Sequence, residues 1–368
     1  MSKSQTTAIT KKPIDLFLLE GISVLAFNKD FTQVALSKKD NYIYIYSVPD
    51  LKKTDSWKLL HKLDSHFQYI SGLDWHPETN RILSCSYDKT SFVWELKEKN
   101  WTPSNVVITT KLGYLCCKWN KRGDKFCEGT SAKQLLIGYY NPTNNWWMGI
   151  NIKAHKSSVV TCEIDPTSLF VLSGSTDLRI YVSSCYIPEV DDQFLTDETR
   201  PLAQKFGQQI YEFRPNCWIN SVAWLPSGNE GIISGQDATI SVINPKEQKA
   251  DTIKCKHSPA TMIIPIDDNS FYAVCYDRNV LEYAKKGDSW EIKRTVTVEG
   301  EQKKANLTGS VSMRLAQFNQ MGNIKKENLA VTSKQAKHLH QSLISSVNIK
   351  GKEMITTDVS GFVKYWKL

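Results

Sequence analysis

A histidine at position 66 is followed twenty-two residues later by Asp88, and His155 is followed at the same interval by Asp177. A step that recurs along a chain identifies an internal repeat, and a repeat decides the architecture before any single site is read. Set side by side, 66–96 and 155–183 run alike. Each goes from the His through an alternating apolar stretch, a turn with proline (Pro77, Pro166), a second apolar run closing in Ser-x-Ser-x-Asp, and a third apolar run. Every piece has the length and alternation of a strand. The plan returns in 257–283, where His257 precedes Asp277 by twenty residues, and in 217–243, which lacks the His but keeps Pro226 and Asp237. It fits 21–46 with Asp40, 113–140 more loosely, and 340–366 at the end of the chain. Seven units at roughly 40–50-residue spacing predict an all-β, seven-bladed β-propeller with four short strands per blade.

The anchor residues have a physical reason to sit at these offsets. An Asp in the tight turn between the second and third strands can bond the His that enters the blade. A strand hydroxyl, Ser84 in the second unit, can then link that His to the indole N–H of Trp94, so that buried polar groups satisfy one another. His66, Ser84, Asp88 and Trp94, with His155, Asp177, Asp237, His257 and Asp277, are therefore read as structural anchors of WD40-type blades. A catalytic Ser-His-Asp reading is set aside because the set recurs and nothing marks one copy as a nucleophile. No unit ends in the Trp-Asp pair that names the WD repeat: Trp94-Glu95 and Trp366-Lys367 stand in its place. In the last unit the Asp position holds Ser360, with Asp358 two residues earlier, and the third unit lacks both His and Asp. Those two blades are expected to rely on apolar packing.

At 368 residues the chain exceeds what one core usually supports, but a ring of blades, each packed on its neighbours, escapes that limit. No run of eighteen apolar residues is present, so no membrane insertion is expected. The polar start MSKSQTTAITKKP is not a secretory signal, and 1–13 reads as a flexible tail before a single propeller spanning 14–368. Nine cysteines lie scattered, with only Cys116 and Cys117 adjacent. Neighbours on a strand point to opposite faces, and no C-x-x-C exists, so no metal and no cofactor is expected. Reduced thiols in a cytoplasmic protein are the expectation, and the sequon at Asn306 is then inert. No Gly-rich phosphate loop appears, which argues against an enzyme.

Two segments break the repeat, at about 186–216, with an acidic patch at Glu189, Asp191 and Asp192, and at about 284–339. The second carries eleven Lys or Arg against five Asp or Glu, six of the eight net positive charges of the chain. Concentration in one loop, without an RNA-type aromatic platform, argues against nucleic acid as partner. Within 307–321, Val311, Leu315 and Phe318 share one helical face, with Thr308 or Ser310 as N-cap and Gly322 as stop. This predicts a helical insert between blades six and seven, either packed on the rim or presented to a partner.

Several tracts are similar to one family. They are ISVLAFNKDFTQVAL at 22–36, the second unit over 72–103, NNWWMGINIK with Trp146 and Trp147, SCYIPEVDD at 184–192 and LTGSVSMRLAQF at 307–318. Over nearly its whole length the chain resembles the WD-repeat subunit of the actin-related protein 2/3 complex. The resemblance implies a non-catalytic scaffold in a hetero-oligomer with actin-related proteins and other subunits. It also implies a place in the actin cytoskeleton and support for nucleation of branched actin filaments. The basic insert would contact the actin filament or nucleation-promoting factors through Val311, Arg314, Leu315 and Phe318, with Lys303, Lys304, Lys325 and Lys326 as steering charges. The family's Leu-Thr, basic and aromatic pattern falls on Leu307, Thr308, Arg314 and Phe318, with two extra residues between them. A generic propeller adaptor for ubiquitin ligases or chromatin would share the blades without the paired Trp and both inserts.

Overall fold

The computed structural model describes residues 14–17, 21–203, 205–255, 258–287, 289–296, 340 and 342–368. They form seven four-stranded antiparallel sheets. Blade one is Val24–Phe27, Gln33–Ser37, Tyr42–Ser47 and Lys58–Asp64, and blade two is Ile70–Trp75, Ile82–Ser86, Ser91–Lys97 and Asn100–Asn105. Blades three to six follow in the same order along the chain. Blade seven is Ile344–Lys350, Glu353–Asp358 and Phe362–Lys367, completed by Ile14–Phe17 from the other end of the chain. That strand pairs with Phe362–Lys367 in the register Ile14 to Tyr365 and Phe17 to Phe362. From blade seven through blade one round to blade six, the first strands of neighbouring blades touch, which sets them innermost in the ring. Loops between second and third strands, and between one blade and the next, therefore gather on one face of the ring.

Each gap between blades has its own apolar cluster. Ile43, Ile45, Trp75 and Trp94 fill the gap between blades one and two, and Leu83, Trp119, Phe126 and Trp147 the next. Tyr139, Ile164 and Ile187 follow, then Leu172, Trp224 and Ile243. Phe271, Tyr283 and Trp290 fill the gap between blades five and six, and Tyr272, Met354 and Trp366 the sixth. Phe27, Trp57, Val363 and Tyr365 close the circle. A full side chain of this size contributes about 1.5–3 kcal/mol when withdrawn from water, and neither blade face is complete without its neighbour. Of the paired tryptophans, Trp147 is buried in the second gap while Trp146 is exposed.

In blades two to seven the first strand carries a one-residue bulge near its start, as between Ile70 and Gly72 or Ile219 and Ser221. The extra residue can turn toward the next blade. The Ser71 hydroxyl donates to the Tyr114 carbonyl at 2.8 Å, and the Asn220 amide to that of Ala260 at 2.9 Å.

Both inserts are shorter than the sequence suggests. Val280–Lys286 and Ser289–Val296 are the third and fourth strands of blade six, so the second insert begins at 297 and not near 284. Lys285 pairs with Glu230, Lys286 with Glu291, and Lys293 and Arg294 with Glu282. In 297–339 the sequence holds seven Lys or Arg against three Asp or Glu, a smaller excess. The expected helix at 307–321 lies outside the described residues. The first insert joins the third and fourth strands of blade four, Arg179–Ser184 and Gln209–Phe213. It contains the α-helix Pro188–Asp191 and a 3-10 turn Asp192–Phe194.

Blade three does not rest on apolar packing alone. Glu128, fully buried, occupies the register position that Ser84 and Ser173 hold in blades two and four, and it accepts a hydrogen bond from the Ser91 hydroxyl of blade two. Burial pushes its pKa from 4.5 up to about 8, with the Ser91 bond opposing. A raised folded pKa means that this carboxyl contributes stability below 4.5 that is lost as pH rises through about 8. Glu128→Gln should remove that loss. Urea unfolding should show the variant gaining stability relative to wild type across this interval, and a pH-independent difference would contradict the assignment.

Candidate functional site

The anchors of blade two form one proton chain. The Trp94 indole N–H donates to Ser84 Oγ at 2.9 Å, and Ser84 Oγ lies 2.8 Å from His66 Nε2. His66 Nδ1 is 3.1 Å from Asp88 Oδ2, which also accepts the Phe67 backbone N–H at 2.7 Å. A neutral imidazole protonated on Nδ1 satisfies every member: indole to hydroxyl, hydroxyl to Nε2, Nδ1–H to carboxylate. Burial works against ionised Asp88, but hydrogen bonds from His66, Thr90 and the Phe67 N–H outweigh it and hold the carboxyl well below its ordinary range.

Blade four repeats the chain with a change at its end. His155 Nε2 is 2.9 Å from Ser173 Oγ, and Nδ1 is 3.3 Å from Asp177. Ser183 stands where the register places the tryptophan of blade two. Burial lowers the pKa of His155, against the pull of Asp177, which keeps the ring neutral at physiological pH.

The last blade corrects the expectation of purely apolar packing. Trp366 Nε1 donates to Thr356 Oγ1 at 3.0 Å, and His340 lies 2.7 Å from Thr356 Oγ1 and 3.0 Å from Asp358 Oδ2. Thr356 occupies the register position of Ser84. The acid has moved from the turn to the end of the strand, and the His stands sixteen residues before the hydroxyl instead of eighteen. Both shifts are by two residues, one pleat period, so the carboxylate still meets the ring.

Asp237 in blade five accepts the Thr239 backbone N–H at 3.1 Å and its hydroxyl at 2.6 Å. Burial works against ionised Asp237, but the Thr239 hydrogen bonds, with the nearby Cys217 thiol, lower its pKa. Asp277 accepts the Asn279 N–H at 3.2 Å, and its own N–H donates to the Ser258 hydroxyl at 2.7 Å. His257 lies outside the described residues.

These constellations hold turns together and are closed to substrate. Ser84, Ser173 and Thr356 have no exposed surface, so no hydroxyl in the Asp-His-Ser or Asp-His-Thr sets can reach a substrate carbonyl. Cys116 and Cys117 diverge: the first reaches Cys162 at 3.7 Å, and the second lies against Gly72 beside the Cys85 thiol. Among the described residues no group of three His, Cys, Asp or Glu could hold a metal.

Of the acidic patch of the first insert, Glu189 and Asp192 are exposed, but Asp191 is not. Asp191 is fully buried and joins the equally buried Lys125 at 2.6 Å, with Arg122 as a second partner. The Lys125 ammonium completes its shell on the carbonyls of Ser168 at 2.5 Å and Cys185 at 3.0 Å, and the Ile187 N–H returns to Asp191 at 2.7 Å. A lysine in the second strand of blade three thereby pins the insert of blade four. Asp192 accepts the Tyr186 hydroxyl near the surface. The sequence signal for Lys125 was an ammonium at the start of the short strand KFCEGT, which is buried along its whole length. Val311, Arg314, Leu315, Phe318, Lys303, Lys304, Lys325 and Lys326 lie outside the described residues.

Fold and anchors define a WD-repeat β-propeller, and the family model described as "WD domain, G-beta repeat" matches 57–95 and 149–182. The chain is 28% identical over 365 residues to actin-related protein 2/3 complex subunit 1A-A of Xenopus laevis, covering 95% of each. It is 29% identical over 364 residues to subunit 1A of Arabidopsis thaliana, covering 95% of this chain and 94% of that one. Subunit 1 of Schizosaccharomyces pombe aligns at 22% over 278 residues, 72% of this chain and 71% of the other. Among WD-repeat propellers the chain is thus a homologue of the proteins that carry the name actin-related protein 2/3 complex subunit 1.

Asp191→Ala leaves a buried ammonium without its carboxylate and should cost about 3–5 kcal/mol in chemical denaturation. Ser84→Ala orphans both the His66 ring and the Trp94 indole and should cost about 1–3 kcal/mol. A loss below about 0.5 kcal/mol in either would show that the group carries no structural role.

Proposed function

We propose that this chain is the β-propeller subunit of an actin-related protein 2/3 complex, a non-catalytic scaffold that supports nucleation of branched actin filaments in the cytoplasm. The observation that carries the reading is full-length similarity to proteins of that name, 28% identity over 95% of both chains. A similarity confined to the blade signatures would speak only for a propeller. This one runs through both segments that interrupt the repeat. The partners are then actin-related proteins and the other subunits, in a hetero-oligomer.

The insert at 297–339 is the contact arm in this proposal. Val311, Leu315 and Phe318 supply an apolar stripe at helical spacing and Arg314 a charge beside it. Lys303, Lys304, Lys325 and Lys326 raise the encounter rate with an acidic partner, an actin filament or a nucleation-promoting factor, each contributing little alone. The core of the ring lies in the gaps between its blades, so the arm is separable from the fold that carries it.

Affinity purification of the tagged full chain should recover two actin-like proteins in stoichiometric amount; recovery of ubiquitin-ligase or chromatin components in their place would sink the proposal. Deleting 305–338 should leave the melting temperature of the purified assembly unchanged while lowering branch formation in a filament assay. Phe318→Ala should weaken filament or activator contact by about 1–2 kcal/mol, near tenfold. A sharp fall in melting temperature would instead mean that the stripe packs on the propeller rim.

A further inference from the structure

The insert of blade four does more than fasten itself to blade three. Beyond the Asp191 anchor it makes a turn that holds itself together: the Thr196 N–H donates to Thr199 Oγ1 at 3.0 Å, and the Thr199 N–H returns to Thr196 Oγ1 at 3.3 Å. The N–H groups of Leu202 and Ala203 bond the Thr199 carbonyl at 3.0 and 2.9 Å, and Ala203 is buried. None of these bonds closes a blade. They set Leu202 as one wall of a slot between blades four and five.

The slot lies on the face that carries the turns between first and second and between third and fourth strands, away from the histidine anchors. Its volume is about 390 Å³, inside the span of about 300–1,000 Å³ typical of small-molecule sites. Phe170, Val182 and Ile210 of blade four, with Trp224 and Pro245 of blade five, complete the apolar wall that Leu202 begins. The Trp224 indole N–H is spent on the Glu163 carbonyl at 3.1 Å, so Trp224 offers the slot only ring carbon. The walls are fixed before anything enters. Gln248 Nε2 donates to the Pro245 carbonyl at 2.6 Å and the Ile210 carbonyl at 3.4 Å, and the Tyr211 hydroxyl reaches the Lys249 carbonyl at 3.4 Å. These bonds tie the outer turn of blade five to the outer strand of blade four.

The exposed residues of the lining are all polar: Glu198, Asn229, Lys246 and Gln248. Lys246 Nζ is held by the Asn229 amide oxygen at 3.1 Å, and among the described residues no carboxylate pairs with it. An ammonium has three donors, so two remain for a ligand. An apolar hollow beneath a positioned cation suits an apolar body that carries one negative charge. Glu198, on the insert wall, narrows the choice further. Its carboxylate repels a doubly charged ligand such as a phosphate monoester more strongly than a singly charged one.

We propose that this slot binds a small aromatic monocarboxylate, its ring against Phe170 and Trp224 and its carboxylate on the Lys246 ammonium. The proposal does not depend on which assembly the chain joins. Flat ring carbon on the walls matches a flat apolar ligand. A small molecule is favoured over a segment of another protein because the apolar surface stays inside the slot. A stable protein interface covers about 800 Å² on each side, and none of the large apolar side chains left exposed among the described residues lines this site.

The test is titration of the full chain with naphthoate, with the neutral naphthamide and with the cationic naphthylmethylamine, each followed by saturation-transfer NMR. Naphthoate should bind most tightly and the cation least. Lys246→Gln should lower naphthoate affinity about three- to fivefold and leave that of the amide unchanged. Glu198→Gln should raise naphthoate affinity, and Leu202→Ser should weaken both ligands about fivefold. Lys246 and Glu198 are exposed, so their variants should melt as wild type does, which separates lost binding from lost fold. Absence of naphthoate binding, preference for the cation, or affinities indifferent to all three variants would overturn the proposal. So would loss of naphthoate binding once the chain sits in its purified assembly, since a partner's side chain would then own the slot.

Discussion

Every blade of this ring is a sheet with two apolar faces and no way to cover either by itself. The fold depends on seven gaps being filled at once, and each is filled by a cluster with its own composition. Tryptophan and isoleucine dominate between blades one and two, and a Trp119, Phe126 and Trp147 nest the next gap. Phe271, Tyr283 and Trp290 serve between blades five and six. This tolerance of composition at constant spacing explains how polar anchors can weaken or vanish from one blade to another while the ring persists.

The polar anchors act on a smaller scale, and their variants follow one tendency, that a buried donor meets an acceptor, with the Ser183 hydroxyl of blade four left outside it. Blade two satisfies it with serine, histidine and aspartate, blade seven with threonine and an aspartate displaced by one pleat period, and blade five with Thr239 on Asp237. Blade three substitutes a carboxyl that burial holds in its protonated form near neutrality, bonded to the neighbouring blade. What is preserved is the accounting of hydrogen bonds and not the residue types.

The architecture was legible because His-to-Asp spacing reports a turn, and turns are local. The unit count, the offsets of His66, Ser84, Asp88 and Trp94, and the divergence of Cys116 from Cys117 all follow from periodicity. What was not legible depends on contacts between distant positions. Asp191 reads as a solvated acid in a loop, because its partner Lys125 is 66 residues away. The outer strands of blade six alternate charged with apolar residues, since one face meets water, and in sequence that pattern passes for a basic loop. In blade seven a two-residue displacement hid a complete network. Thr356, Asp358 and His340 compensate one another only in three dimensions.

The strand Ile14–Phe17 has a consequence for the order in which the protein can be made. Of the strands described it is the first to leave the ribosome, and its partner Phe362–Lys367 follows all the others. Until Phe362–Lys367 has emerged, blade one lacks the neighbour that covers Phe27 and Trp57, and an early strand keeps a bare hydrogen-bonding edge. The closing contact therefore carries nearly the maximum loop entropy this chain can present. Blades can collapse one after another during translation, but the ring closes only once Phe362–Lys367 is available, and the unclosed edge must be kept from pairing with a second copy until then.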